Sequence, residues 1–142
     1  MIKFFKKIYY SVWADAINYE RIKNGGEDHW KIFTLSYMSI LLSINIATIL
    51  SAILYFTNYD LVSKSYDLLT SYLSKNSQKS FLWYIIILLI PSIVITYYTV
   101  FLKEKYRVIL EKYKFKNGRL IFIYFCITFI TFFGFSLLNK FG

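Results

Sequence analysis

The sequence predicts an all-α integral membrane protein, with three transmembrane helices and amphipathic interfacial helices on the cytoplasmic side. Two observations carry that reading. First, residues 32–57, 81–102 and 120–138 form runs of 26, 22 and 19 residues without a single Asp, Glu, Lys, Arg or His. Crossing a hydrocarbon core takes about 20 apolar residues as a helix, and a helix satisfies its own backbone in lipid. A soluble domain of 142 residues, 57% of them hydrophobic, would distribute its apolar positions along amphipathic elements. Here they are pooled. Second, the 17 Lys and Arg are unevenly placed. Six precede the first run and seven separate the second from the third, so thirteen share one side of a three-span topology. Lys64, Lys75, Lys79 and Lys140 fall on the other. Basic loops stay in the cytoplasm. The expected orientation has the N-terminus cytoplasmic and the C-terminus outside, in a bacterial inner membrane or an organellar one. The chain is expected to form a single membrane domain over 1–142.

Residues 2–23 read as an interfacial helix. Ile2, Phe5, Tyr9, Val12, Ala16 and Tyr19 recur at spacings of three and four, widened by Ile8 and Trp13. Lys3, Lys6 and Lys7 stand where they can reach lipid phosphates. Asn24-Gly25-Gly26 supplies the turn that ends this helix. Trp30 then enters the first span, 32–57, at the depth of an aromatic belt. Ser39, Ser43, Ala47 and Ser51 are each four apart, a small-residue ridge that permits close helix approach. Asn45 is the one strongly polar side chain near mid-membrane. Its expected role is a hydrogen bond between helices.

Residues 60–75 repeat apolar positions at Val62, Tyr66, Leu69 and Leu73 and predict an outer amphipathic helix. The second span, 81–102, holds the only proline, Pro91. Its ring removes one backbone donor and crowds the carbonyl of Ile87, which predicts a kink there. Ser92 and Thr96 are placed to bond the freed groups. Residues 103–117 continue the helical period through Leu102, Tyr106, Ile109 and Tyr113, in a field of charge. Asn117-Gly118 reads as its stop. Continued straight, 103–116 would project ~21 Å from the membrane, yet the third span, 120–138, starts only two residues after Gly118. The segment is therefore expected to bend and lie along the surface as a basic interfacial helix.

The formal charge of +9 admits a nucleic-acid binder. The placement of that charge, flanking apolar runs, points to anionic membrane lipids instead and gives no nucleic acid as partner. The residues expected to touch lipid headgroups or a partner protein are Lys3, Lys6, Lys7, Lys103, Lys105, Arg107, Lys112, Lys114, Lys116 and Arg119. The lone Cys126 permits no disulfide within the chain and reads as a small buried hydrophobe. A metal site at His29 would need further ligands, such as Glu20 or Asp15, and no spacing fixes them. No catalytic residue, cofactor or metal is assigned.

The Tyr9-Tyr10-Ser11 start, the stretch 30–45 and the basic segment before the third span resemble small three-span bacterial membrane proteins. The resemblance is compositional and implies no activity. The functional expectation is a protein that acts by contact, as a scaffold or accessory subunit of a larger membrane complex, through another membrane protein or self-association. Two alternatives stand beside it. One is a homo-oligomeric pore or membrane effector hinged at Pro91 and lined by Asn45. The other is a lipid-handling protein or enzyme using His29 with Glu27 and Asp28.

Overall fold

A computed structural model describes residues 2–24, 29–58, 60–70 and 77–141. Among these there is no β-strand. The elements are α1 (Ile2–Lys23), α2 (Trp30–Thr57), α3 (Leu61–Thr70), α4 (Ser77–Thr96), α5 (Lys105–Lys112) and α6 (Arg119–Phe141). Three helices are long and apolar enough to cross a membrane: Trp30–Thr57, the stretch beginning at Ile85, and Arg119–Phe141. The chain is an integral membrane protein of all-α class. The spans are packed in the manner of membrane helices, with small polar residues inside and large apolar ones outside. Thr34, Ser39, Ser92, Thr96 and Thr128 are fully buried, whereas Ile32, Phe56, Phe122 and Ile130 are exposed.

Two compact units make up the chain. The first comprises Met1–Ser39 and Ile93–Ile127, and it carries all thirteen Lys and Arg that the topology assigns to one side. Its hub is α1. Positions Val12 to Ile17 are all buried, Asp15 among them. One apolar stripe against lipid cannot produce six consecutive buried positions, so between Val12 and Ile17 α1 is a core helix. On either side of that stretch Phe4, Phe5, Ile8, Tyr19 and Ile22 are exposed. The partners of α1 are aromatic: Trp13 stacks edge-on to Phe101 at 6.0 Å, and Phe101, Trp30 and Tyr106 complete the cluster. Trp30 is thus an interior residue, 4% exposed. Asn24 ends α1 by bonding the Glu20 carbonyl through both its backbone N–H and its side chain. Gly25 and Gly26 lie outside the described residues.

The helix through Pro91 is not interrupted at Pro91; α4 runs on to Thr96. Ser92 Oγ donates to Leu88 O at 2.7 Å, not to the Ile87 carbonyl. The path changes further on. Tyr97–Phe101 widens into a π turn, closed by Leu102 N–H on Tyr97 O. Lys103 and Glu104 then adopt left-handed backbone, with φ of 54° and 53°. Each such residue costs about 1–2 kcal/mol when it is not glycine. The return on the far side is the burial of Tyr106 and Ile109 from α5, each contributing on the order of 1.5–3 kcal/mol. Two buried side chains outweigh two strained residues, and the break turns α5 back onto α1 and the π turn.

The predicted basic helix 103–117 is therefore shorter than expected. Tyr113 is extended, with φ −116° and ψ 131°, and the chain stays non-helical to Gly118. The physical reason is a competing acceptor for the backbone N–H groups of Lys116 and Gly118, described below. Asn117-Gly118 does not stop α5. It forms a left-handed turn, φ 53° and 75°, that starts α6.

The second unit comprises Ile40–Ser92 and Thr128–Gly142. Here α2 and α6 are joined twice. Thr128 Oγ1 donates to Asn45 Oδ1 at 3.4 Å, and Asn139 Nδ2 donates to Ser51 O at 2.9 Å. Residue numbers rise together along both helices, so they run parallel, as the first and third of three spans must. Asp60 caps α3, its carboxylate accepting Ser63 N–H at 3.0 Å and Ser63 Oγ–H at 2.6 Å. The helix predicted over 60–75 is described from Leu61 to Thr70; positions 71–76 lie outside the described residues.

Candidate functional site

Asp15 organises the basic unit. Gly118 occupies the position before the first residue of α6, and its carbonyl accepts the first helical bond from Phe122 N–H at 3.0 Å. A side chain at that position would normally cap the second and third backbone N–H groups of the helix. Glycine has none. The carboxylate of Asp15 takes that role from α1. Its Oδ2 accepts Leu120 N–H at 2.8 Å and Ile121 N–H at 3.4 Å. Its Oδ1 accepts Lys116 N–H at 2.7 Å and Gly118 N–H at 3.1 Å. Four donors thus converge on one fully buried carboxylate, at the helix end where negative charge is favoured. Tyr19, one turn along α1, seals the turn: a Cβ on Gly118 would lie 2.9 Å from the Tyr19 ring.

This contact fixes α1 against the start of α6. Two others fix it against the remaining helices of the unit. Tyr37 O–H donates to Ala16 O at 3.2 Å, and the hydroxyls of Tyr9 and Thr99 lie 3.0 Å apart. Burial pushes the Tyr9 phenol above its ordinary pKa. It therefore stays a neutral hydroxyl, able to donate or accept.

On this scaffold the ten cations expected at headgroups or a partner are all exposed, but they are not equivalent. Lys6, Lys105 and Lys112 are brought together around a hollow of about 280 Å³, with Tyr10, Tyr113, Thr99, Val108 and Ile109 as its walls. Lys6 Nζ lies 5.8 Å from the centre of the Tyr10 ring and Lys112 Nζ 6.0 Å from that of Tyr113. Arg107 lines a second hollow of about 500 Å³ with Arg21, Lys31, Trp30 and Glu104. There Arg107 pairs with Glu104 at 2.9 Å. Lys3, Lys7, Lys103, Lys114, Lys116 and Arg119 line neither.

Of the small-residue ridge, Ser39 is fully buried, and its hydroxyl has no hydrogen-bond partner among the described residues. It acts there by being small. Ser43, Ala47 and Ser51 are half-buried. Ser43 Oγ donates to Ile40 O at 2.7 Å, and the Ser51 carbonyl receives Asn139. Asn45, besides accepting from Thr128, donates to Leu41 O at 3.0 Å. His29 is exposed, and its carbonyl starts α2 by accepting Phe33 N–H at 3.3 Å. Glu27 and Asp28 lie outside the described residues. Asp15 and Glu20 point to other tasks than metal binding. Asp15 takes four backbone donors, and Glu20 Oε2 accepts Asn24 Nδ2 at 3.0 Å. Among the described residues no three His, Cys, Asp or Glu converge on a metal-sized site.

The chain matches no protein-family model, no curated protein and no solved structure.

Sequence reasoning missed the roles of Asp15, Gly118, Tyr10 and Tyr113. A signal for the first was present. Asp15 interrupts the most apolar part of α1, between Ala14 and Ala16, and a carboxylate there needs donors. Nothing in the sequence said that those donors lie about a hundred residues away.

Proposed function

We propose that this protein acts by contact, as an accessory or scaffold subunit of a membrane assembly. In this reading its basic unit faces the cytoplasmic side of an inner membrane. The observation that carries the proposal is how that unit is built. Thirteen cations belong to the same unit as a core closed by Trp13, Trp30, Phe101 and Tyr106 and latched by Asp15. Such a unit displays charge on a fixed frame. Outward-facing Ile and Phe on the spans leave their apolar surface for lipid or for a neighbouring helix. The pore alternative has less to stand on, since Asn45 bonds within its own chain.

Native mass spectrometry after mild detergent extraction, combined with crosslinking in the membrane, tests the proposal. A stoichiometric second subunit, or a second copy of this chain, is the expected result. A lone monomer that forms no crosslink in the membrane would contradict it. Reporter fusions at each terminus test the orientation, with the N-terminal one active in the cytoplasm and the C-terminal one outside.

A further inference from the structure

We infer that the hollow between α1 and α5 holds the phosphate of an anionic phospholipid headgroup. Three lysines, Lys6, Lys105 and Lys112, line it, and no Asp or Glu does so among the described residues. The second hollow differs on this point, because Glu104 already pairs with Arg107 there. The lysine charge in the first hollow is left to be met by a ligand. Lysine suits phosphate as a compact point charge with three donors. Lys105 spends one donor on Tyr98 O at 2.9 Å and keeps two.

The walls are set before any ligand arrives. The Tyr9–Thr99 contact holds α1 against the end of the second span, and the Tyr10 and Tyr113 rings lie 6.1 Å apart. A volume of about 280 Å³ is at the small end of ligand sites, which run from ~300 to 1,000 Å³. It suits a headgroup rather than a whole lipid. The source of the phosphate follows from the neighbours. Thr99 belongs to the second apolar run, and Val108 stands 64% exposed on the hollow's rim. Lysines on one side and apolar surface on the other fit an amphiphile better than a free anion. This inference does not depend on the accessory-subunit reading, since a monomer could hold the same lipid.

The test is native mass spectrometry of the full chain in detergent. Phosphatidylglycerol and phosphatidylcholine of identical acyl chains are offered together. One phosphatidylglycerol should be retained, at least about tenfold over phosphatidylcholine. Lys6→Ala with Lys112→Ala should lower retention at least about tenfold, by the attraction each lysine has for an anionic headgroup. Lys23→Ala with Lys140→Ala removes the same charge outside the hollow and away from the expected headgroup contacts, and should change retention less than about twofold because the attraction falls off within a Debye length. Equal losses in the two double variants would overturn the site in favour of diffuse attraction. Equal retention of the two lipids would also overturn it. Displacement of the lipid by millimolar glycerol 3-phosphate would overturn the lipid source and assign the hollow to a soluble phosphate. Circular dichroism melting checks that the variants fold. Should the double variant fail, Lys6→Gln and Lys112→Gln are read singly, each with a severalfold loss.

Discussion

Asp15 Oδ2 accepts the backbone N–H of Leu120 at 2.8 Å, across 105 positions of the chain. A helix near the N-terminus thereby caps the last membrane span. The bond ties α1 to the first turn of α6 within the first unit, and among the described residues the four donors share this one carboxylate. Replacing Asp15 by Ala would leave buried donors unmet, each worth about 1–3 kcal/mol, with some of that recovered by water. The expected loss of stability is about 3 kcal/mol. Asp15→Asn keeps one acceptor oxygen and should fall between Ala and the natural residue. Thermal melting in detergent gives the order.

Gly118→Ala combines two penalties. The backbone at φ 75° disfavours any side chain, and the new Cβ would meet the Tyr19 ring at 2.9 Å. A loss of about 2 kcal/mol is expected, roughly half of it from the left-handed backbone. Tyr19→Ala in the same chain should relieve only the steric part. A double-mutant cycle on melting temperature reads the coupling. Full additivity would mean that the ring and the glycine do not touch.

Lys103 and Glu104 carry left-handed backbone without being glycine. Lys103→Gly should remove about 1–2 kcal/mol of strain and add about 0.5–1 kcal/mol of unfolded-chain entropy. The variant is expected to be slightly more stable, by about 0.5 kcal/mol. Chemical denaturation in detergent measures it. A clear destabilisation would show that the break is not strained in the way its dihedrals imply. The Arg107–Glu104 pair beside it is exposed on both sides. Glu104→Gln should leave the denaturation midpoint nearly unchanged, because solvent screens an exposed pair.

Asn45→Leu removes the bonds from Thr128 and to Leu41. Hydrogen bonds between membrane helices average about 0.6 kcal/mol, so the expected cost is small. Helix content should not change on circular dichroism. If conductance in a planar bilayer exists and disappears in this variant, the contact reading gives way to the pore.

The three spans were legible because each is a long uncharged run, and length with apolarity is a local property. Leu61 to Thr70 was legible for the same reason, through its three-and-four spacing. The break at Lys103–Glu104 was not, although a bend was required by the distance to Leu120. Neither residue is Gly or Pro, and the strain is met by burial of Tyr106 and Ile109 elsewhere. At Pro91 the missing backbone donor was legible, and α4 continues as helix to Thr96. The chain leaves the helix after α5 and reaches Asp15, which takes the backbone N–H groups of Lys116 and Gly118. Among the cations, sequence gave ten equivalent candidates. Only the fold separates Lys6, Lys105 and Lys112 from the rest, because α5 turns back on α1.

Hydrogen exchange of the backbone amides of Lys116, Gly118, Leu120 and Ile121, in the full chain embedded in nanodiscs, tests the account most directly. The Asp15 latch predicts slow exchange at all four in the natural protein and at least about tenfold faster exchange in Asp15→Ala, a change of about 1.4 kcal/mol in local opening. Fast exchange in the natural protein, or exchange unchanged by the substitution, would contradict it.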